Sequence, residues 1–258
     1  MSSDSEMKVD LMGHHAGRLL ISGMLAMLPA LSWSLDGLAA DAGPDGPAQI
    51  AFASPNAPGP IVMVISGQTG PASYKTYASE LAALGYYTVL LTGKDILNGE
   101  HTGEANLRKA IERAQRSPNA MKGRAAVIGF SLGGGGALYN AAPQSDLVSM
   151  VVAYYPYTLT WANNMDALVK RFRVPVLVMP GSLDRYHNCC VIESMQAMEA
   201  AAKRIASPFE LVVYPQANHG FNLKTGASGE PMGAYRHEDD LDAWRHTLEM
   251  LKRYQALP

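Results

Sequence analysis

Val127-Ile-Gly-Phe-Ser-Leu-Gly-Gly-Gly-Gly-Ala137 decides the reading of this chain. An apolar run leads into Gly129-x-Ser131-x-Gly133, and small residues suited to the start of a helix follow. The pattern is that of a sharp strand-to-helix turn with a serine at its apex. Gly129 and Gly133 lack the Cβ that would collide with so tightly folded a backbone, so glycine there is a steric requirement. Alone, G-x-S-x-G also describes an ordinary turn of small residues, and the weight therefore rests on what lies downstream.

Two later segments supply partners in a telling order. Residues 174–179 form a β-branched apolar run that ends in Pro180-Gly181-Ser182-Leu183-Asp184, which puts a carboxylate in the loop just past a buried strand. Residues 210–214 give a second strand signal, followed by Pro215-Gln216-Ala217-Asn218-His219-Gly220-Phe221. In a parallel sheet the carboxyl ends of the strands share one edge, so Ser131, Asp184 and His219 can converge on one crevice. Nucleophile, acid, histidine is the chain order of an α/β-hydrolase.

Each residue type answers a separate chemical need. Serine is a weak nucleophile until an adjacent imidazole accepts its proton, and histidine titrates near the working pH, which makes His219 the candidate base. Asp184 is the candidate carboxylate that fixes the imidazole tautomer and stabilises the imidazolium. A developing oxyanion needs preorganised donors, and the backbone N–H after the nucleophile, that of Leu132, is one. The second is expected in the loop Ser66-Gly67-Gln68-Thr69-Gly70 after the aliphatic run 61–65; Gln68 is the choice, with Gly67 and Thr69 as its neighbours. An ordinary glycine-rich strand-to-helix loop is the other reading of that stretch.

These blocks resemble the dienelactone hydrolase family of α/β-hydrolases, from about residue 49 to the C-terminus. The resemblance is carried by I-V-M-V-I-S-G-Q-T-G, G-F-S-L-G-G, V-P-V-L-V-M-P-G-S-L-D, V-Y-P-Q-A-N-H-G-F and D-A-W-R-H-T-L-E-M-L. It implies Ser131 as nucleophile, Asp184 as acid, His219 as base, and the Leu132 and Gln68 amides as the oxyanion hole. Members that open dienelactones use cysteine at the elbow and a glutamate in the loop that here reads Ser66-Gly67-Gln68. Ser131 and Gly67 depart from both, so the chain is more similar to the family's esterase members.

The rest of the chain alternates. Strands are expected at 49–53, 61–65, 86–91, 125–128, 147–153, 174–179 and 209–214, and helices at 73–84, 102–115, 134–141, 161–170, 191–205 and 239–254. Such alternation implies βαβ crossovers and an α/β fold, a mostly parallel central sheet flanked by helices on both faces. About twenty residues separate the strand ending at Ala153 from the one starting at Val174, which leaves no room for a large lid. An open crevice would be bordered by Tyr74, Tyr155, Trp161, Arg185, His187 and Phe221, each of which also reads as core or rim packing. The polar stretch 222–239 reads as an edge of the crevice or as a surface loop.

Composition agrees with one enzyme domain. The 258 residues are 48% hydrophobic and 17% charged, with a formal net charge of −2; this is apolar material enough for a large core and no basic field for nucleic acid. Gly133–Gly136 lacks dinucleotide-binding spacing, and 70–76 carries Tyr74 where a phosphate loop needs glycine, so no cofactor is expected. No metal is expected either: His187-x-Cys189-Cys190 is the nearest approach to a ligand set and reads as a surface loop. The two cysteines are adjacent and are read chiefly as buried small hydrophobes, with a vicinal bridge as the lesser reading.

The N-terminus suggests export. Residues 19–31 are apolar behind Arg18, and Ala40-Asp41-Ala42 offers a small-x-small cleavage pattern, in a segment too short for a stable membrane span. Residues 1–42 are expected as a signal peptide or extension and 43–258 as a single domain, in the periplasm or outside the cell if the signal works and in the cytoplasm otherwise. Together these features predict a serine hydrolase of small carboxylic esters or lactones acting through an acyl-enzyme. An acyltransferase or amidase on the same fold is the alternative, as is a binding protein with an idle triad.

Overall fold

Ile61–Ile65 is an unbroken aliphatic run, and all of it is buried, as a strand with helices over both faces requires. The computed structural model describes residues 38–41, 46–230 and 232–258. Its strands are β1 (Leu38–Asp41), β2 (Gln49–Phe52), β3 (Ile61–Ile65), β4 (Tyr87–Leu91), β5 (Ala125–Phe130), β6 (Val148–Tyr154), β7 (Val176–Met179) and β8 (Phe209–Leu211). They form one eight-stranded sheet in the order β1-β2-β4-β3-β5-β6-β7-β8. β1 with β2 and β2 with β4 are antiparallel; every pairing from β4 through β3 to β8 is parallel.

The helices are α1 (Lys75–Ala83), α2 (Gly93–Ile96), α3 (Gly103–Arg116), α4 (Leu132–Gly136), α5 (Met165–Val169), α6 (Ile192–Arg204) and α7 (His237–Tyr254). The two-residue period of the strands divides the core into two layers. Met63, Val89, Val127 and Val151 face one way, with Leu107 and Ile111 of α3 and Met195 and Met198 of α6. Val62, Val64, Ile128 and Val152 face the other, with Leu81 of α1 and Leu251 of α7. Full burial is worth roughly 1.5–3 kcal/mol for each such side chain, so the two layers together pin the register of the central strands.

Several boundaries differ from the sequence reading, each for a local reason. The helix expected at 134–141 begins at Leu132 and passes into a π-helical turn at Ala137–Ala141, the kind of turn that often marks functional sites. The helix expected at 161–170 is a 3-10 turn, Leu159–Trp161, followed by α5. Asn164 starts α5 by accepting a hydrogen bond on its side chain from the Ala167 N–H at 3.2 Å, which fixes a new N-terminus there. The last strand ends at Leu211, and Tyr214 returns to the sheet edge as an isolated bridge to Gly181.

Leu38–Asp41 adds an edge strand that the alternation did not suggest. The remainder of the segment read as a signal peptide lies outside the described residues. Among the described residues no helix is long and apolar enough to cross a membrane.

Candidate active site

Ser131 follows directly on β5, at the carboxyl edge of the sheet. Its backbone stands at φ 52 and ψ −115, a conformation that costs a non-glycine residue about 1–3 kcal/mol and persists only where its surroundings enforce it. They do. The Ser131 N–H donates to the Tyr154 carbonyl at 3.0 Å, and the Ser131 carbonyl accepts from Gly135 N–H at 3.0 Å and from Tyr157 N–H at 2.8 Å. A Cβ on Gly129 would stand 2.3 Å from the Gly133 carbonyl oxygen, so the turn tolerates glycine alone.

Asp184 lies four residues beyond the Pro180 that ends β7, and its side chain is wholly buried. A buried carboxylate must be hydrogen-bonded. Oδ1 accepts from the Tyr186 backbone N–H at 3.0 Å, and Oδ2 lies 2.7 Å from His219 Nδ1. The acid loop is tied to the histidine loop by Ser182 N–H to the Tyr214 carbonyl at 2.9 Å and Leu183 N–H to the Ala217 carbonyl at 3.0 Å. These backbone links place His219 over β5, where its Nε2 is 2.9 Å from Ser131 Oγ. With a carboxylate on Nδ1, that nitrogen carries the ring proton and Nε2 is left to accept from the serine.

Two tyrosines hold the imidazole. Tyr186 stacks on it, ring centroids 4.5 Å apart and planes 13° apart. Tyr155 meets it edge-on at 4.8 Å and donates its hydroxyl to Asn222 Oδ1 at 2.7 Å. Burial pushes the Tyr155 phenol well above its ordinary value and that of Tyr74 up to about 12, so both remain neutral near pH 7.

In front of Ser131 lies a crevice of about 250 Å³. Gln68, Leu132, Tyr157, Leu159, Tyr186, His187 and Cys189 line it with Ser131. Leu132 opens α4, at a position whose N–H has no acceptor within the helix and so points outward. A wider groove of about 630 Å³ between α1 and α7 is lined by Glu80, Lys224, Asp240 and Trp244; it holds none of the three residues Ser131, Asp184 and His219.

Of the rim residues expected from sequence, His187 borders the crevice and Tyr155 touches His219 from the buried side. Phe221 is fully buried against Tyr155 and Tyr214. Trp161 stacks on Tyr139. Arg185 donates to the Asp184 carbonyl at 2.9 Å and pairs with Glu193. Tyr74 is buried against Gly67: a Cβ on Gly67 would stand 2.6 Å from the Tyr74 hydroxyl, so the tyrosine fills the space a larger residue at 67 would need. Tyr157, Leu159, Tyr186 and Cys189 were not foreseen, because loop shape rather than residue type puts them there.

The cysteines correct the sequence reading. Cys189 and Cys190 are buried, but as a vicinal disulfide rather than as two separate apolar side chains, while residues 185–188 before them are exposed. The imidazole near them is that of His219, not His187: the two sulfurs and a His219 ring nitrogen all lie within 4.8 Å of one another.

The sequence model of the dienelactone hydrolase family matches residues 91–255. The chain belongs to this family. It is 30% identical over 135 residues to the "Putative carboxymethylenebutenolidase" of Escherichia coli O157:H7, a match covering 51% of this chain and 46% of that protein; the chain thus spans about half the length of that curated relative. Among solved structures, the "Putative Dienelactone Hydrolase" of Klebsiella pneumoniae subsp. pneumoniae MGH 78578 superposes with a TM-score of 0.66 at 21% identity, covering 81% of this chain and 93% of that one. Est1E from Butyrivibrio proteoclasticus superposes with a TM-score of 0.60 at 15% identity, covering 84% and 99%. At such identities the superpositions establish the α/β-hydrolase fold, and the family match over residues 91–255 establishes membership of the dienelactone hydrolase family.

Proposed function

We propose that this dienelactone hydrolase family member is a serine hydrolase of carboxylic esters or lactones that works through an acyl-enzyme. The observation that carries this reading is the continuous chain Ser131 Oγ, His219 Nε2, His219 Nδ1, Asp184 Oδ2, with links of 2.9 Å and 2.7 Å. Ser131 Oγ attacks the acyl carbon while His219 Nε2 takes its proton, and the tetrahedral oxyanion is met by the Leu132 and Gln68 backbone N–H groups. His219 returns the proton to the departing alkoxide, and a water molecule repeats the sequence to free the acid. In a lactone the alkoxide stays attached, so ring opening and hydrolysis yield one hydroxy acid. The 250 Å³ crevice supports a small acyl group and its open mouth a range of alcohols.

Intact-protein mass spectrometry after treatment with a fluorophosphonate tests the reading. One adduct per chain, mapped to Ser131 and absent from Ser131→Ala, is expected. A folded wild-type chain that takes no label would overturn it and favour a binding protein with an idle triad. The apolar stretch behind Arg18 supports a further proposal, that the chain is exported; the untreated mass from a secreting host reports whether the N-terminal segment is removed.

A further inference from the structure

We propose that Cys189, Cys190 and His219 form a redox-gated site for a soft divalent cation, closed while the disulfide stands and open once it is reduced. Its inhibitory consequence rests on the reading of His219 as the base; the binding does not.

The placement comes first. The two sulfurs and a His219 ring nitrogen lie within 4.8 Å of one another. Around a tetrahedral zinc, bonds of about 2.0–2.3 Å put neighbouring ligand atoms roughly 3.3–3.8 Å apart, so small side-chain rotations suffice. Two thiolates and an imidazole are the donor set that soft and borderline cations prefer. In the bridged form the sulfurs are joined to each other and offer no thiolate.

The loop is fixed by its backbone, which keeps the pair in place after the bridge opens. The Cys189 carbonyl accepts from Thr158 N–H at 2.8 Å and Thr158 Oγ1 at 3.2 Å, and Cys189 N–H donates to the Tyr186 carbonyl at 3.0 Å. His187 and Asn188 before it stand at φ 47 and 52, in the left-handed region that His and Asn enter more readily than most non-glycine residues, so the turn before the pair suits its own sequence. Cys190 is fully buried, whereas Cys189 borders the crevice, which gives a cation its way in.

His219 is already equipped as a ligand. Its Nδ1 is engaged by the buried Asp184 carboxylate at 2.7 Å, the arrangement that orients metal-bound histidines and raises their basicity. Nε2 is therefore the nitrogen a cation takes, and it does so at the expense of the bond to Ser131 Oγ. The chemistry balances. Two equivalents of a small thiol break the S–S bond, delivering two electrons and two protons, and leave as one small-molecule disulfide. The cation then forms two metal–sulfur bonds and one metal–nitrogen bond as both cysteine protons pass to solvent.

The full chain is dialysed against zinc in its oxidised form and after reduction by dithiothreitol, with the reductant removed under anaerobic conditions. The reduced chain is expected to titrate two thiols and retain one zinc; the oxidised chain retains none. Cobalt in place of zinc should give a thiolate-to-cobalt charge-transfer band in the reduced chain alone. Zinc should lower turnover of a p-nitrophenyl ester by the reduced chain by about 10²-fold or more, the range expected for loss of a general base, with recovery on chelation. Cys190→Ser and His219→Ala should each abolish zinc retention. Equal zinc retention in both redox states, retention undiminished in Cys190→Ser, or failure of the native chain to yield two thiols would each overturn the proposal. A chain that binds zinc only when reduced yet cleaves no ester would overturn the proposed function and leave this site standing; an active esterase that retains no zinc when reduced would do the reverse.

Discussion

Tyr186 holds both partners of the serine: its backbone N–H donates to Asp184 Oδ1 at 3.0 Å while its ring lies on His219 with centroids 4.5 Å apart. The backbone contact survives any substitution except proline, so the ring's share can be isolated. An aromatic face beside a forming imidazolium at an exposed site is worth about 0.5–1 kcal/mol, or roughly a two- to fivefold change in rate. Tyr186→Ala should lower kcat/KM by about that factor, and Tyr186→Phe, which keeps the ring, should stay within twofold of wild type. Steady-state kinetics on both variants decides; equal losses in the two would mean that the hydroxyl matters and the stacking does not.

The hydrogen-bonded chain through Ser131, His219 and Asp184 predicts strongly unequal but large losses. Ser131→Ala and His219→Ala should remove nearly all turnover, and Asp184→Asn should cost about 10⁴-fold in kcat by stabilising the wrong imidazole tautomer. Circular dichroism should show each variant folded. Turnover near wild type in any one of them would refute its assigned role.

Gly67 and Tyr74 form a pair that a double-mutant cycle can read. A Cβ at residue 67 would stand 2.6 Å from the Tyr74 hydroxyl and 3.5 Å from the ring carbon bearing it. Gly67→Ala should therefore destabilise the fold by about 1–3 kcal/mol, as overpacking does. Tyr74→Phe removes the oxygen, so in that background the same substitution should cost less, a coupling of about 1 kcal/mol or more between the two sites. Urea unfolding of the four chains gives the number, and strict additivity would sink the argument.

In the groove between α1 and α7, burial raises the carboxyls of Glu80 and Asp240, opposing the lowering effect of Lys224. An acid whose folded value is raised favours the fold while protonated. Its contribution is fully present below the unfolded value and lost as pH rises through the folded one. Asp240→Asn removes that titration. Its melting temperature relative to wild type should therefore rise on going from about pH 3, below the unfolded carboxylate value, to about pH 7. A pH-independent difference would show that the pairing with Lys224 cancels burial, and a falling one that it outweighs burial.

Much of this was legible because it rests on local rules. Ile61–Ile65 was read to the residue, since an unbroken aliphatic run of five bounded by Pro60 and Ser66 fits little but a buried strand. The convergence of Ser131, Asp184 and His219 was legible for the same reason: each was read in a loop beyond a strand's carboxyl end, and sheet topology brings those loops together. Phe221 misled because its apparent place beside His219 depends on which way the chain turns after Gly220, and the backbone there directs the ring into the core. Leu38–Asp41 carries no strand signal of its own and takes its conformation from the free edge of β2. The cysteine bridge was judged by adjacency in sequence, whereas the loop that carries it turns through left-handed backbone at His187 and Asn188, residue types that tolerate that conformation but do not require it.

The seven residues from Asp184 to Cys190 carry the buried carboxylate, the ring stacked on His219, and three of the residues that line the crevice. On the proposed mechanism, substrate preference and catalytic rate are therefore written in the same short stretch of chain. Lengthening or trimming it to admit a bulkier acyl group would also displace the carboxylate, so variants selected for new substrates through this loop should lose turnover on the old and the new alike. Variants altered at Leu159, on a separate element, could change preference without that penalty.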